Sequence, residues 1–380
     1  MKKKYIILSI ITLVLLITFV TSFNYFKTSN TYVENNSNNQ TKITKGISMN
    51  LEQTAGAGDY KQVTQSSWPT EGYKFNAELS KCENGGEISW DDTKKAVIVS
   101  GNLSDKCYVY FDIYQLTLAE YIKSQYTGTQ GDNALYYHNS TLTNGAGDNS
   151  YRYAGASDSV NNYICLGSDV ATCPDANLFR IIGVFGDKTK VIRAKSVGYQ
   201  QWHTSADNTW SSSSLNAYLN GTYLTSLGTI AEKIATTTWK VGGGSGSNIS
   251  ASVPKTAYKN EVGSSASTTI IDKKIGLMYV SDYGFAASPS AWTKTLGDYD
   301  GTDANGTSIK TINWMYMGYN EWTISRYSDY SGSAFYVSSD GSVRFSGVSG
   351  YIGVRPSFNL ESSVKYVSGS GSMSDPVRVN

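Results

Sequence analysis

The most regular alternation of apolar and polar residues in this chain lies between Trp314 and Leu360. Within this stretch, the segment YVSSDGSVRF predicts a β-hairpin. A loop of three residues that ends with Gly341 in the left-handed region directs the apolar residues of both strands to one face. A loop of two residues would instead mix them with polar residues. We therefore predict the three-residue loop, with an inward face made of Phe335, Val337, Val343 and Phe345.

The opposite face of this hairpin is rich in Tyr, Ser and Arg. Tyrosine supplies contact area at a low entropic cost and serine supplies adaptable hydrogen bonds, as in antibody contact loops. Arg326 or Arg344 would orient a ligand by charge, whereas Arg355 is predicted to be a structural ion-pair partner. An ordinary solvated strand face is the alternative. The predicted ligand-binding residues are Tyr327, Tyr330, Tyr336, Ser338, Ser342, Arg344, Ser346 and Tyr351.

The rest of the chain mixes strand patterns with two helical ones. Short β-branched and aromatic runs separated by turn residues predict a small β-domain over residues 47–114. Thr117 followed by Glu120 is a capping box, which predicts a helix up to Ser124. Near-3.6 spacing of apolar residues predicts a second helical segment over residues 213–227. Further strands are predicted at residues 178–185, 189–194, 274–281 and 364–367.

The amino terminus has the pattern of a membrane segment. Three lysines precede an uncharged run from Tyr5 to Phe26, which as a helix would be about 33 Å long, enough to span a bilayer core. We predict that residues 1–26 form an uncleaved signal-anchor helix; a cleaved signal peptide is the alternative. Residues 27–46 are polar and predict a flexible spacer.

Composition is typical of an exported protein. The formal net charge is +1 and charged residues make up 17% of the chain, so nothing points to nucleic acid. The chain has 29 Tyr but only 2 His, which restricts metal and acid-base chemistry. For its four cysteines, we predict two local disulfides, although two other pairings are open. The predicted pairs are Cys82 with Cys107 and Cys165 with Cys173.

A search for catalytic and metal-binding motifs leaves few candidates. The chain has no HExxH motif, and it has no GxSxG, P-loop or GxGxxG motif in a suitable context. His138 and His203 lie in polar segments and are predicted to be surface residues. We predict no catalytic residue and no cofactor. Calcium is the alternative, in a glycine-rich loop that contains Asp298, Asp300, Asp303 and Asn305.

Several motifs give the chain from about residue 116 onward a family resemblance. They are YICLGSD at residues 163–169, LFRIIGVF, KIGLMYVSDYG at 274–284, EWTIS at 321–325, YVSSDGSV and GVRPSFNL, which ends at Leu360. With them the chain resembles Gram-positive bacterial surface proteins with a DUF6273-type domain of C-type lectin-like fold. This fold is related to formylglycine-generating enzymes and to retroelement-diversified variable proteins.

The resemblance implies a displayed ligand-binding face on an apolar framework. It does not carry over the formylglycine-generating activity, because all four cysteines precede Pro174, nor calcium-dependent sugar binding, because the EPN, QPD and WND motifs are missing.

Together, these observations predict an α+β protein. Its parts would be a transmembrane segment at 1–26, a spacer at 27–46, a small all-β domain at 47–114 and a lectin-like domain at 115–380. The predicted function is adhesion at the cell surface, through an extracellular protein or glycan ligand. A surface hydrolase acting on cell-wall or host glycans and a passive envelope protein are the alternatives.

Overall fold

The computed structural model describes residues 46–380, except for residues 65–66, 70–71, 103–104, 243–248, 264–265 and 267. The chain divides into two compact units, one ending at Gln115 and the other beginning at Leu116. The predicted transmembrane segment at 1–26 and the spacer up to residue 45 lie outside the described residues.

The predicted fold class is wrong, because the chain is mostly β rather than α+β. Strands account for 34% of the residues and helices for 20%. The predicted N-terminal transmembrane helix has no support either, since no helix of the described part is long and apolar enough to cross a membrane. The apolar repeats at 213–227 predict one helical segment, but they form only short consecutive helices in a unit that is built mainly from strands.

The N-terminal unit is built from strands. The strands are β1 (Ile47–Glu52), β2 (Tyr60–Val63), β3 (Tyr73–Cys82), β4 (Glu87–Asp91), β5 (Ala96–Ser100) and β6 (Cys107–Ile113). Four of them form a sheet in the order β2-β1-β6-β3, with β1 parallel to β6, and β4 and β5 form a hairpin. The disulfide between Cys82 and Cys107 joins β3 to β6, as predicted.

The C-terminal unit contains all remaining strands of the described chain. They are β7 (Leu135–Tyr137), β8 (Tyr151–Tyr153), β9 (Tyr163–Cys165), β10 (Leu178–Phe185), β11 (Lys188–Arg193), β12 (Tyr199–Gln201), β13 (Thr237–Lys240), β14 (Ile270–Lys273), β15 (Ile275–Gly276), β16 (Glu321–Arg326), β17 (Ser333–Val337), β18 (Val343–Gly347), β19 (Tyr351–Gly353), β20 (Ser357–Leu360), β21 (Tyr366–Ser368) and β22 (Val377–Val379).

Short helices connect these strands. The α-helices are α1 (Leu118–Ser124), α2 (Ser214–Tyr218), α3 (Leu224–Ser226), α4 (Pro254–Glu261) and α5 (Val280–Ala286), and a π-helical turn at Leu219–Tyr223 joins α2 to α3. The 3₁₀ helices are Asp132–Ala134, Asp175–Asn177, Trp210–Ser212, Gly228–Lys233, Ile249–Ala251, Pro289–Ala291, Leu296–Asp298 and Ile309–Ile312.

Two sheets organise the C-terminal unit. The larger runs β15-β20-β11-β10-β9-β22-β21, with the β7–β8 hairpin attached to β10, and the smaller runs β12-β19-β16-β17-β18. One continuous core contacts both sheets and includes five buried tryptophans. They are Trp202, Trp210, Trp239, Trp314 and Trp322. The second predicted disulfide, between Cys165 and Cys173, closes a local loop after β9.

Local predictions hold where the signal is strong. Helix α1 begins after Thr117, whose side chain accepts a hydrogen bond from the Glu120 backbone, so the predicted capping box is confirmed. The predicted strand pair is β10 and β11. The predicted strand at 274–281 is wrong beyond Gly276, because the chain turns into helix α5. All seven residues of α5 are buried, so no periodicity distinguishes helix from strand there.

The predicted hairpin register is confirmed. In strands β17 and β18, Val337 lies opposite Val343 and Phe335 lies opposite Phe345. Gly341 ends the loop with φ of 96°, the left-handed conformation that the three-residue loop requires.

Candidate functional site

The turn of the β17–β18 hairpin is held by the core beneath it. The Tyr283 hydroxyl donates a hydrogen bond of 2.8 Å to the Gly341 carbonyl. Ser338 and Ser342, which were predicted to face outward, are buried, with exposures of 7% and 1%. That prediction fails because packing of the turn covers the polar face at this end of the hairpin.

A polar network crosses the same turn. The Asp340 carboxylate accepts hydrogen bonds from the backbone and the hydroxyl of Ser342, at 3.0 and 2.6 Å. The Arg344 guanidinium donates to the Ser342 hydroxyl at 2.8 Å and lies 2.5 Å from Asp340. Arg344 is therefore oriented by its own hairpin, while more than half of its side chain remains exposed.

The predicted ligand-binding residues divide between the two faces of the hairpin. Arg344 and Ser346 share one face with Tyr336, whereas Phe345 projects from the other because side chains alternate along a strand. Tyr327 and Tyr330 pack against Phe345 and so belong with it. The hairpin does not bring the predicted residues together on a single face.

An exposed aromatic cluster forms at the edge of the smaller sheet. The rings of Tyr327 and Tyr330 are stacked at 5.2 Å, and those of Tyr330 and Phe345 at 6.4 Å with an interplanar angle of 15°. Tyr330 is 61% exposed and Phe345 is 46% exposed. We call Tyr327, Tyr330 and Phe345 the aromatic edge. Phe345 was predicted to be inside, but it lies on β18, the last strand of its sheet, and the described residues leave 46% of it exposed.

Tyr336 and Tyr351 occupy other positions on the smaller sheet. Tyr336 is half-buried, with its ring 6.1 Å from that of Trp322. Tyr351 lies on β19 and is 70% exposed. Of the two arginines proposed to orient a ligand, Arg326 is half-buried and donates to the Gly242 carbonyl at 2.8 Å, which leaves Arg344 as the more exposed charge.

A second turn repeats the network of Asp340, Ser342 and Arg344. The Ser150 hydroxyl donates to Asp148 at 2.6 Å, and Arg152 donates to Ser150 at 2.8 Å and to Asp148 at 2.7 Å. Here Arg152 is only 2% exposed. The sequence signal that was missed is the pattern Asp-x-Ser-x-Arg followed by an aromatic residue, in GDNSYRY and again in SDGSVRF.

The buried copy of this network is part of a larger ionic cluster. Asp282 lies 2.5 Å from the Lys190 ammonium and 3.5 Å from Arg152. Although burial raises the pKa of Asp148, Arg152 and Ser150 lower it to about 2. These charges border a cavity of about 150 Å³, whose other lining residues include Phe185, Trp239 and Tyr279. All oxygens of Asp148 and Asp282 accept hydrogen bonds from this cluster or its backbone.

Glu261 holds the start of helix α5 beside this cluster. Its carboxylate accepts hydrogen bonds from the backbone of Val280 at 3.0 Å and of Ser281 at 2.8 Å, and from the Ser325 hydroxyl. Burial raises the pKa of Glu261 to about 7. Each carboxylate oxygen of Glu261 therefore accepts a hydrogen bond from the N-terminus of helix α5.

The two histidines are not surface residues, contrary to the prediction. His138 is fully buried, and its ring packs against Phe285 and Trp292. His203 is 9% exposed. Polar flanking residues misled the prediction, because the aromatic rings that cover His138 come from distant parts of the chain.

Arg355 has the structural role predicted for it. It is buried and forms an ion pair with Glu321 beneath the smaller sheet, and it donates to the Met315 carbonyl at 2.8 Å. The loop considered as an alternative calcium site is a turn in which the Asp303 carboxylate accepts backbone hydrogen bonds from Asn305 and Thr307 at 2.9 and 2.8 Å. The described residues hold no cluster of three potential metal ligands among His, Cys, Asp and Glu.

Comparison with known proteins gives one match. No curated protein and no solved structure shows significant similarity to the chain. The lectin-like fold and the bacterial origin therefore stay predictions. Residues 186–362, which include the β17–β18 hairpin and the aromatic edge, carry a domain described as a domain of unknown function, DUF6273.

Proposed function

We propose that this protein is an exported binding protein, and that its aromatic edge contacts an extended segment of another extracellular protein. The observation that carries this proposal is the exposure of stacked rings at the end of a sheet. Large apolar side chains exposed together favour association, because covering them with a partner removes apolar area from water.

The position of β18 supports a peptide as the ligand. As the last strand of its sheet, β18 pairs with no strand other than β17 in the described structure. The 3₁₀ helix Leu296–Asp298 lies close to β18, so an added strand would pair along the part of the outer edge that this helix leaves open. An extended peptide that pairs with β18 would bring alternate side chains over Phe345 and Tyr330. Arg344, on the other face of β18, would add a charged contact of the kind found at interface hot spots.

Export is supported by the two disulfides. Disulfides form and persist in oxidising compartments, and both predicted pairs are present. The resemblance to bacterial surface proteins points to the same compartment. We therefore propose that binding takes place outside the cell.

Screening the full chain against a phage-displayed library of linear peptides and against a glycan array tests this function. We expect enrichment of peptides with alternating apolar residues. Tyr330→Ala combined with Phe345→Ala should weaken binding of an enriched peptide by at least about tenfold, the loss typical of hot-spot aromatic residues. Tyr336→Ala should have a smaller effect because its ring is already half-buried.

Tyr199→Ala is the matched control. Tyr199 is 59% exposed, close to Tyr330, and lies on β12 at the opposite end of the same sheet. Equal loss of affinity in this variant would indicate nonspecific aromatic adhesion. Unchanged affinity after loss of Tyr330 and Phe345, or binding of glycans alone at these residues, would overturn the proposal.

A further inference from the structure

A second cavity of the C-terminal unit is lined by none of the residues of the aromatic edge. Its volume is about 370 Å³, within the range of about 300 to 1,000 Å³ that is usual for small-molecule sites. It opens between helix α1, the turn before β7, the end of β8 and the C-terminal strand β22. The residues that line it are Tyr121, Gln125, Asn133, Ala134, Tyr153, Ser159, Asn161, Ser370 and Val377.

The polar lining of this cavity is neutral. Every polar side chain in it is a hydroxyl or an amide, and no Lys, Arg, Asp, Glu or His is among the lining residues. Burial and the Tyr366 hydroxyl raise the pKa of Tyr121 to about 12, and burial raises that of Tyr153 still further. Both phenols therefore remain protonated at physiological pH. A charged ligand would lose its hydration here without meeting an opposite charge.

Tyr153 places a hydroxyl-bearing side chain in the lining of the cavity. This residue is 5% exposed. Its position is fixed, since its backbone carbonyl accepts a hydrogen bond of 2.8 Å from the Trp314 indole. A ligand hydroxyl in the cavity would form a hydrogen bond with the Tyr153 hydroxyl.

One wall of the cavity is aromatic and rigid. The Tyr121 ring stacks on Tyr366 at 3.6 Å with an interplanar angle of 7°. Both hydroxyls donate to the Gly369 carbonyl, at 3.3 and 3.2 Å. The rings supply apolar contact area, while Gln125 and Asn161 supply amide donors and acceptors around it.

Another part of the cavity lining has an unusual backbone conformation. Asn133 and Ala134 have φ of 54° and 57°, and a left-handed alanine is uncommon outside sites where the surrounding structure imposes it. The Asn133 amide holds this turn by donating to the Gln125 carbonyl at 2.7 Å. The turn places Asn133 in the lining of the cavity.

We propose that this cavity binds a neutral sugar residue. A sugar presents hydroxyls around its rim and C–H groups on its faces, which matches an uncharged ring of hydroxyls and amides beside aromatic rings. The site is distinct from the aromatic edge and goes beyond the function proposed above. Failure of either proposal leaves the other standing, because they use different residues.

Saturation-transfer NMR on the full chain, with titration calorimetry for each hit, tests the site. The probes are the methyl glycosides of glucose, galactose, mannose and N-acetylglucosamine, with methyl glucuronide and glucosamine as charged counterparts. We expect binding of at least one neutral glycoside, and binding at least about tenfold weaker for its charged counterpart. Absence of binding for all neutral glycosides, or equal binding of charged ones, would overturn the proposal.

Tyr153→Phe should weaken glycoside binding by about tenfold, because it removes one hydrogen bond and changes the side-chain volume little. Tyr223→Phe is the matched control: Tyr223 is a tyrosine of similar burial, at 6% exposure, and it does not line this cavity. If Tyr153→Phe does not fold, Asn161→Ala at the exposed rim replaces it and should also reduce affinity. Glycoside binding that neither cavity variant changes would place the sugar elsewhere and refute the site.

Discussion

Two turns of this protein carry the same hydrogen-bond network in opposite surroundings. Asp148, Ser150 and Arg152 are linked by distances of 2.6 and 2.8 Å, and the same two distances link Asp340, Ser342 and Arg344. In both turns the residue after the aspartate has a positive φ. The Arg152 side chain is 2% exposed, whereas that of Arg344 is 53% exposed.

The difference between the turns indicates that the local sequence determines the geometry of the network, while its surroundings determine how much it contributes to the free energy of unfolding. The Arg152 guanidinium lies 4.5 Å from the ring centre of Phe185 and 5.0 Å from that of Phe285, and it faces Asp282. Its charge cannot be solvated there, so the network must stay complete. Arg344 keeps contact with water, so its network can open to meet a ligand at little cost.

Replacing each arginine by alanine should give the largest difference in stability between the two turns. Arg152→Ala removes the cation from Asp148, which is mostly buried, and from the buried Asp282, and should lower the free energy of unfolding by about 3–5 kcal/mol. Arg344→Ala should cost about 1 kcal/mol or less, because water solvates the remaining Asp340. Urea unfolding of the two variants, followed by tryptophan fluorescence, measures both values. Equal destabilisation of the two variants would mean that burial does not determine how much the network contributes to stability.

The buried cluster should also respond to pH through Glu261. Its folded-state pKa is about 7 and its ordinary value is 4.5, so the folded protein binds more protons between these pH values. The contribution of Glu261 to stability is therefore full below pH 4.5 and is lost as pH rises towards 7. Across this window, the free energy of unfolding should fall by on the order of 3 kcal/mol from this residue.

The control for this prediction is the difference between wild type and Glu261→Gln at each pH. Burial lowers the pKa of His138 well below its usual range, which gives wild type an opposing slope. His138 is present in both proteins, so the difference isolates Glu261. A difference that stays constant from pH 4.5 to 7 would contradict the raised pKa.

Local signals in the sequence were sufficient for the hairpin and for helix α1. Gly341 and alternating side chains determine the register of β17 and β18, and Thr117 with Glu120 determines where α1 begins. Both features depend on residues that are neighbours in the chain. The two disulfides were also predictable, because each joins cysteines close together in sequence.

Features made by distant residues could not be predicted in this way. Helix α5 resembles a strand in sequence because it is buried on all sides, and Glu261 caps it from 19 residues away. The exposure of Phe345 depends on the order of strands in the sheet, which periodicity does not reveal. The cavity proposed to bind a sugar is lined by residues near both ends of its unit, from Tyr121 to Val377.

The smallest expected contrast concerns the left-handed residue of each turn. A β-carbon on Gly341 would lie 2.8 Å from the Lys310 side chain and 3.1 Å from the Tyr299 carbonyl, at φ of 96°. Gly341→Ala should therefore cost about 1–3 kcal/mol. Asn149 already adopts a φ of 59° with a side chain, so Asn149→Ala should cost about 1 kcal/mol or less. Thermal unfolding of the two variants measures the contrast. A larger loss of stability for Asn149→Ala than for Gly341→Ala would contradict this expectation. It would show that the side chains packed around the Asp148 turn affect its stability more than its backbone conformation does.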